Sequence, residues 1–545
     1  MSAPQDEDRA TFLVSLPIRT LAAHIASGSC TAVEALHAFR SRAKRANAAL
    51  NAVTEWLEDA DANARELDEE LRRTGRTRGP LHGVPFTLKD HFHMAGTLLT
   101  MGDRSMAGYR SKAGMDAAVA AALVDAGGVC FAKTNMSEHG ETWASSNPVF
   151  GTTRNPWDPA RTSGGSSSGE GALVGCAATA FGVGSDVGGS VRIPAAFNGH
   201  VALKPTADRA GFSLAAGKLL LNFPGEYGVP AAAGPMARRV DDVAVVMAVL
   251  SGANGLHRYH PRVPPVPFDE AAYRSTRPLR IGFFTGCADP APDAAAQRAL
   301  RESVDALRKL GHTVREFVAP DAASWPKVFE LYMLLQFAKA SPGALTGVTE
   351  PKAEPKEKRR HGQPPQKHHP EWLAQAAASA KFVRSLGGAR APRSPPQYFA
   401  LVARRDKLRD AFFQAMRDQG FDVLLSPTLS VPAPRIASVV PLMRAATGHE
   451  AIMPTLLQNV LDAPCGVVPV STYTEPDVRA IRAQVAGSQS GLAKLVAQEA
   501  AVGLPVTLSV TGPPWCEELV LNGMRQVERA SAWDVASNVQ RLAKL

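Results

Sequence analysis

Over residues 12–75 the apolar positions recur at helical spacing, and this stretch reads as a run of helices. One start is well marked. Thr31-Ala32-Val33-Glu34 has the form of a capping box, and Val33, Leu36 and Phe39 then fall on the face of that helix that can be buried. From 79 to 250, short apolar runs of strand length alternate with helical stretches, as a mixed sheet covered on both faces requires. Val84, Phe86 and Leu88 alternate within one such run and predict a partly buried strand. Farther on, Leu279 to Phe284 and Thr313 to Phe317 read as strands around a helix from Ala294 to Leu310, a βαβ unit that extends the sheet. Phe421 to Leu425 and Gly466 to Val470 supply further strands, and a last helix follows Pro514. The expected organisation is an N-terminal helical segment over 1–75 and one compact α/β domain over 76–545.

One piece breaks the pattern. Residues 350–370, EPKAEPKEKRRHGQPPQKHHP, are dominated by proline and charge and cannot build a core of their own. They predict a solvated loop inside an insertion spanning 350–395. Its His361, His368 and His369 lack a ligand-like pattern, so no metal is expected. Among 545 residues, 45% are hydrophobic, enough for a large core. The formal net charge of +9 comes from local clusters, without the aromatic-basic interleaving of a nucleic-acid surface. Six cysteines (Cys30, Cys130, Cys176, Cys287, Cys465 and Cys516) are scattered without CxxC spacing, which argues against structural zinc and for a reducing compartment. Met1 to Arg9 is acidic and polar, unlike a signal peptide. Apolar runs such as Ala117 to Val124 and Val243 to Leu250 are too short to span a bilayer. A cytoplasmic protein is expected, soluble or peripherally associated with membrane.

Candidate chemistry concentrates between Arg161 and Thr206. Two knots of glycine and hydroxyl residues stand there, Gly164-Gly165-Ser166-Ser167-Ser168-Gly169 and Gly184-Ser185-Asp186-Val187-Gly188-Gly189-Ser190. Glycine permits close backbone approach. Serines in such loops suit attack on a carbonyl, which needs a nucleophile and donors for the charge that develops on oxygen. Other readings of the stretch are weaker. Gly165 to Gly169 fits G-x-S-x-G with Ser167 as nucleophile, but Asn155-Pro156-Trp157-Asp158-Pro159 before it is a turn rather than the strand that motif requires. No Gly-Lys-Ser/Thr follows for a P-loop. A flexible linker is opposed by the apolar run Ala172 to Ala178.

A serine hydroxyl needs a base, and neither knot contains histidine. A lysine can serve only when neutral, which burial among apolar neighbours promotes. Lys89, at the end of the alternating Val84–Leu88 run, is such a lysine; the plain alternative is a surface lysine paired with Asp90.

These residues are similar to the amidase signature family, whose hallmark is a Gly-Gly-Ser-Ser knot followed by Gly-(Ser/Thr)-Asp-x-Gly-Gly-Ser-x-Arg. The resemblance implies the family's large mixed-sheet α/β fold and hydrolysis of carboxamides without a cofactor. It assigns Ser190 as nucleophile, Ser166, 24 residues earlier, as a bridging serine with a cis peptide bond, and Lys89 of Gly83-Val84-Pro85-Phe86-Thr87-Leu88-Lys89-Asp90 as base. By the same resemblance the backbone amides of Val187, Gly188, Gly189 and Ser190 form the oxyanion hole, while Asp186 and Arg192 brace the nucleophile loop. An ordinary ion pair between those two is compatible with that role.

Asn147-Pro148-Val149-Phe150-Gly151, Ser168-Gly169-Glu170-Gly171-Ala172-Leu173 and Pro514-Trp515-Cys516-Glu517-Glu518-Leu519 resemble the fatty acid amide hydrolase branch. That likeness makes Gly140, Thr142 and Trp515 substrate contacts, although Trp515 reads equally as a core tryptophan capping the last helix. Two departures stand out. Gly140-Glu141 replaces an apolar Met-Phe pair, so either the acyl channel differs or Glu141 points away; Asn198 stands where cysteine is frequent. The expected partner is a small-molecule or lipid amide, and the family implies a homodimer. Two other classes share the fold: the glutaminase subunit of a tRNA-dependent amidotransferase, and a non-catalytic binding protein. Glu170 and the Trp515 segment argue against the first, and the filled catalytic positions against the second.

Overall fold

The computed structural model describes residues 4–210, 228–252, 255–260, 263–285, 293–339, 394–444, 447–485 and 491–542. The Pro-rich loop at 350–370, the insertion up to residue 393, and Cys287 lie outside them.

Strands β1 (Val53–Trp56), β2 (Pro85–Lys89), β3 (Val129–Thr134), β6 (Phe181–Asp186), β7 (Val201–Lys204), β8 (Ala232–Ala237), β9 (Arg280–Phe283), β10 (Thr313–Glu316), β11 (Val423–Pro427), β12 (Cys465–Thr472) and β13 (Pro505–Thr511) form one sheet. Their order is β1-β3-β2-β6-β8-β7-β12-β13-β11-β9-β10. A separate two-stranded ribbon joins β4 (Ser146–Asn147) to β5 (Gly151–Thr152). Every residue of β2, β3, β6, β7, β8 and β13 is buried, so both faces of the centre are covered. That corrects the expectation of a partly buried Val84–Leu88 strand: alternation there separates two covered faces, not core from water.

The N-terminal helices are α1 (Pro4–Ser15), α2 (Ile18–Ala26), α3 (Ala32–Leu50) and α4 (Ala60–Thr74). The capping box at Thr31 forms as read, with Thr31 Oγ1 accepting from Glu34 N at 3.0 Å and Glu34 Oε2 accepting from Thr31 N at 2.7 Å. Leu36 and Phe39 are fully buried. Strand β1, however, interrupts the helical run. Asn51, in the left-handed conformation at φ 52°, ends α3, and the β-favouring Val-Thr-Glu-Trp stretch then pairs antiparallel with β3. The βαβ unit also forms, with β9 and β10 parallel around the helix Ala294–Lys309.

Strand direction positions the site. β2 runs parallel to β3 and β6, and both β6 and β7 pair antiparallel with β8. β13 runs the same way, through antiparallel β12. The C-terminal ends of β2, β3, β6, β7 and β13 therefore share one edge of the sheet. Between them come α5 (Ala118–Asp125), α6 (Ser168–Gly175) and α7 (Arg192–Asn198).

Candidate active site

Lys89 is the last residue of β2 and has no exposed surface. Its Nζ donates to Ser166 Oγ at 2.7 Å and to Ser185 Oγ at 3.1 Å. Burial pulls the ammonium down to about 7, against Asp186, Glu170 and Asp90, whose charges favour it. Lys89 does not use Asp90 as an ion-pair partner in the way a surface lysine would. The Asp90 carboxylate accepts instead from Thr100 N, Thr100 Oγ1 and Met101 N.

Both knots converge on this point. The Gly165–Ser166 peptide is cis, and Gly165 lies so close to the 142–144 backbone that a Cβ would stand 2.1 Å from Ala144 O and 2.7 Å from Thr142 O. Only glycine fits. Ser167 N donates to Ser190 O at 3.1 Å, tying the first knot to the second. Ser190 itself lies in the short loop between the end of β6 at Asp186 and the start of α7 at Arg192.

The loop between β6 and α7 is held by Asp186. Its carboxylate accepts from Gly189 N at 2.9 Å, Val191 N at 3.2 Å, and Nε and Nη2 of Arg192 at 3.0 and 2.9 Å. Arg192 is anchored in turn by Gln458 and Asn459. Burial alone would raise the Asp186 carboxyl, but the Arg192 guanidinium holds it well below the usual range. Of the four amides expected at the oxyanion site, that of Gly189 is engaged by this bracing. The loop is also tightly packed: a Cβ on Gly188 would stand 2.5 Å from Tyr332 Oη, and one on Gly189 2.3 Å from Thr455 Oγ1.

The expected substrate contacts separate. Gly140 (φ 73°) and Thr142 are buried beside the first knot, and Ser137 Oγ donates to Thr142 O at 2.8 Å. Glu141 is exposed, yet after burial and Asp186 its charge helps to raise the Tyr332 hydroxyl that packs on Gly188, so the carboxylate stays near the site. Trp515 lies on the same sheet edge, its amide donating to Thr206 Oγ1 at 2.9 Å, and is 40% exposed. A buried core tryptophan is therefore not its role. Asn198 bolts the first knot to α7: its Nδ2 donates to Ser163 O and Pro194 O, both at 2.7 Å.

Three neighbours were not singled out from the sequence for roles at this site: Ser185, Glu170 and Lys133. Ser185 lies within the second knot, where a lysine-facing hydroxyl is legible only once β2 and β6 are known to be adjacent.

The family model for amidases matches residues 34–521. The chain belongs to the amidase signature family. It is an amidase, a hydrolase acting on amide C–N bonds. Among curated proteins, fatty-acid amide hydrolase 1 of Sus scrofa is 33% identical over 96% of this chain and 86% of its own length. Its counterpart in Caenorhabditis elegans is 32% identical over 96% of the chain and 90% of its length. A solved fatty acid amide hydrolase superposes with a TM-score of 0.78 at 25% identity, covering 98% of this chain and 87% of that one. A bacterial aryl acylamidase superposes with a TM-score of 0.74 at 22% identity over 97% and 99% of the two chains, a likeness of fold.

Among the described residues, no helix of this amidase is long and apolar enough to cross a membrane.

Proposed function

We propose that this amidase cleaves carboxamides through an acyl-enzyme on Ser190, with Ser166 and Lys89 as a proton relay. The observation that carries this reading is the 2.7 Å contact between a fully buried Lys89 Nζ and Ser166 Oγ. A buried amine near neutrality can accept a proton from a hydroxyl, where a solvated ammonium cannot. Ser166 passes its proton to Lys89 and takes one from Ser190 as Ser190 Oγ attacks the carbonyl carbon. The amides of Val187, Gly188 and Ser190 receive the oxyanion, while Gly189 keeps the loop in shape through Asp186. Collapse of the tetrahedral intermediate returns the proton through Ser166 to the leaving nitrogen. Water, deprotonated along the same route, then releases the acid and restores Ser190.

The substrate is a small aliphatic, aryl or lipid amide. Likeness to proteins named fatty-acid amide hydrolases over almost the whole chain favours an acyl chain. Hydrolysis of acetamide, an aryl acylamide and oleamide, with and without Ser190→Ala, tests the reading. The wild type should turn over at least one of them, and the variant should lose roughly 10⁴-fold or more in kcat. Mass spectrometry of quenched enzyme should find the acyl group on the peptide carrying Ser190. An acyl group elsewhere, or undiminished turnover by the variant, overturns the assignment.

A further inference from the structure

Behind Lys89 lies a second buried ionisable group. Glu170, on α6, has no exposed surface. Its two carboxyl oxygens are each met by a threonine: Thr87 Oγ1 at 2.6 Å from Oε2 and Thr134 Oγ1 at 2.8 Å from Oε1. Thr87 precedes Lys89 by two residues on β2, so the two side chains leave the strand on the same face. The slot is shaped for the carboxyl by a missing side chain, because a Cβ on Gly182 of β6 would stand 1.8 Å from Glu170 Oε2. Strands β2, β3 and β6 together thus build a closed cradle for one carboxyl, next to the amine that faces Ser166.

We propose that Glu170 is a positioning residue that sets the charge of Lys89 from behind, while Ser166 faces it in front. This rests on the reading of Lys89 as the base. An ionised carboxyl in the cradle favours the ammonium, which cannot accept a proton; an un-ionised one leaves the amine free to act. Burial pushes the Glu170 carboxyl up to about 8, against the threonine hydroxyls, Lys89 and Lys133. Lys89, brought down to about 7, titrates in the same range. The charge of each group therefore bears on the other over the same pH range.

The charged surroundings are few. Lys89 faces Asp186 from β6 and Asp90 beyond β2, besides Glu170; Glu170 faces Lys133 and the Cys130 thiol from β3. His91 lies within reach of Lys89 and Lys133, and burial holds it neutral. From α3, Arg42 bonds Cys176 O beyond the far end of α6, and from α7, Arg192 is committed to Asp186. Strand β8, Ala-Ala-Gly-Pro-Met-Ala, offers no charge.

The sign follows directly. Removing the ionisable carboxyl removes the charge that calls back the ammonium, so Lys89 should lose its proton at lower pH. In Glu170→Gln the acid limb of kcat/KM, normalised to its own plateau, should move to lower pH. The expected shift is downward and smaller than about half a unit, less than about threefold in proton concentration at half-activity, because a carboxyl that titrates at about 8 is only partly ionised where the limb lies. Thr87→Val removes a donor that favours the carboxylate, and should move the limb the same way by less. The double variant should add little to Glu170→Gln, since the carboxyl that Thr87 acts through is already gone.

A limb in Glu170→Gln that coincides with the wild type, or moves upward, overturns the proposal. If that variant fails to fold, an unmoved limb in Thr87→Val overturns it. Lys89→Met separates this failure from that of the underlying reading. A limb that persists without Lys89 refutes the base, whereas a limb that vanishes with Lys89 yet ignores Glu170 refutes only the tuning.

Discussion

Two lysines end neighbouring parallel strands one residue short of each other, and both are fully buried. Lys89 ends β2, and Lys133 is the penultimate residue of β3. Their heads meet different atoms. Lys133 Nζ donates to the carbonyls of Asp90, Phe92 and Leu98 at 2.8, 2.6 and 3.1 Å. Lys89 Nζ donates to the hydroxyls of Ser166 and Ser185. A carbonyl can only accept, so three of them fix an ammonium and stitch the 90–98 loop to the sheet. A hydroxyl can both accept and donate, so it can pass a proton on. Burial lowers both lysines towards the amine, yet only one has a partner with a proton to exchange. Burial makes a lysine available as a base; what its head touches decides whether it becomes one.

The comparison can be broken most forcefully at Lys89. Lys89→Met should lower kcat/KM for amides by roughly 10³-fold or more, measured at the pH of the wild-type plateau. The same change should stabilise the fold. Lys89 titrates near 7 folded against 10.5 in its ordinary state, so the unfolded chain binds the extra proton between these values. The resulting penalty is absent above about 10.5, grows as pH falls, and is complete below about 7. Lys89→Met removes it, and should raise the unfolding free energy at pH 6, read as a higher denaturant midpoint, by on the order of a few kcal/mol. An unchanged or lowered midpoint would show that the amine is not held against its preference.

Lys133→Met should do the opposite. It leaves three buried carbonyls without a donor, and should cost roughly 3 kcal/mol or more in denaturant unfolding. The activity of the folded fraction should keep its acid limb. A limb that disappeared with Lys133 would reverse the roles assigned to the two lysines.

The smallest effect is expected away from both. Asn198→Ala removes the donor shared by Ser163 O and Pro194 O, and should cost about 1–3 kcal/mol, seen as a lowered Tm. A drop in kcat exceeding that in stability would mean that α7 must hold the first knot in register for catalysis as well.

Much of this site was legible because its chemistry needs glycine where nothing else fits. Gly165 against Ala144 O and Gly188 against Tyr332 leave no room for a Cβ, so the knots stand out in a chain otherwise rich in ordinary side chains. The lysine was legible as a residue at the end of an apolar run. Its contrast with Lys133 was not, because Lys133 also ends an apolar run, Val129-Cys130-Phe131-Ala132, and only tertiary structure shows which head meets hydroxyls. Strand β1 was missed for a related reason. Four half-buried residues between two long helices carry too little alternation to register, and pairing with β3 supplies what local sequence does not. Glu170 was visible as a branch-specific residue, but nothing local indicates that α6 aims it into the cradle behind Lys89. Trp515 is not the core tryptophan that one reading expected, since its backbone is left-handed at φ 67° just before the helix Glu517–Ala530 and its ring is partly in solvent.

The most direct test of the relay is the pH dependence of kcat/KM on one small amide, followed from pH 5 to 9 for the wild type and for the residual activity of Lys89→Met. If Lys89 is the base, activity requires the neutral amine, so it should be half-maximal near 7 and fall as pH drops below that value. That limb should be absent from the Lys89→Met residue. A wild-type profile that stays flat down to pH 5, or a limb that survives the loss of Lys89, would contradict the assignment of Lys89 as the base.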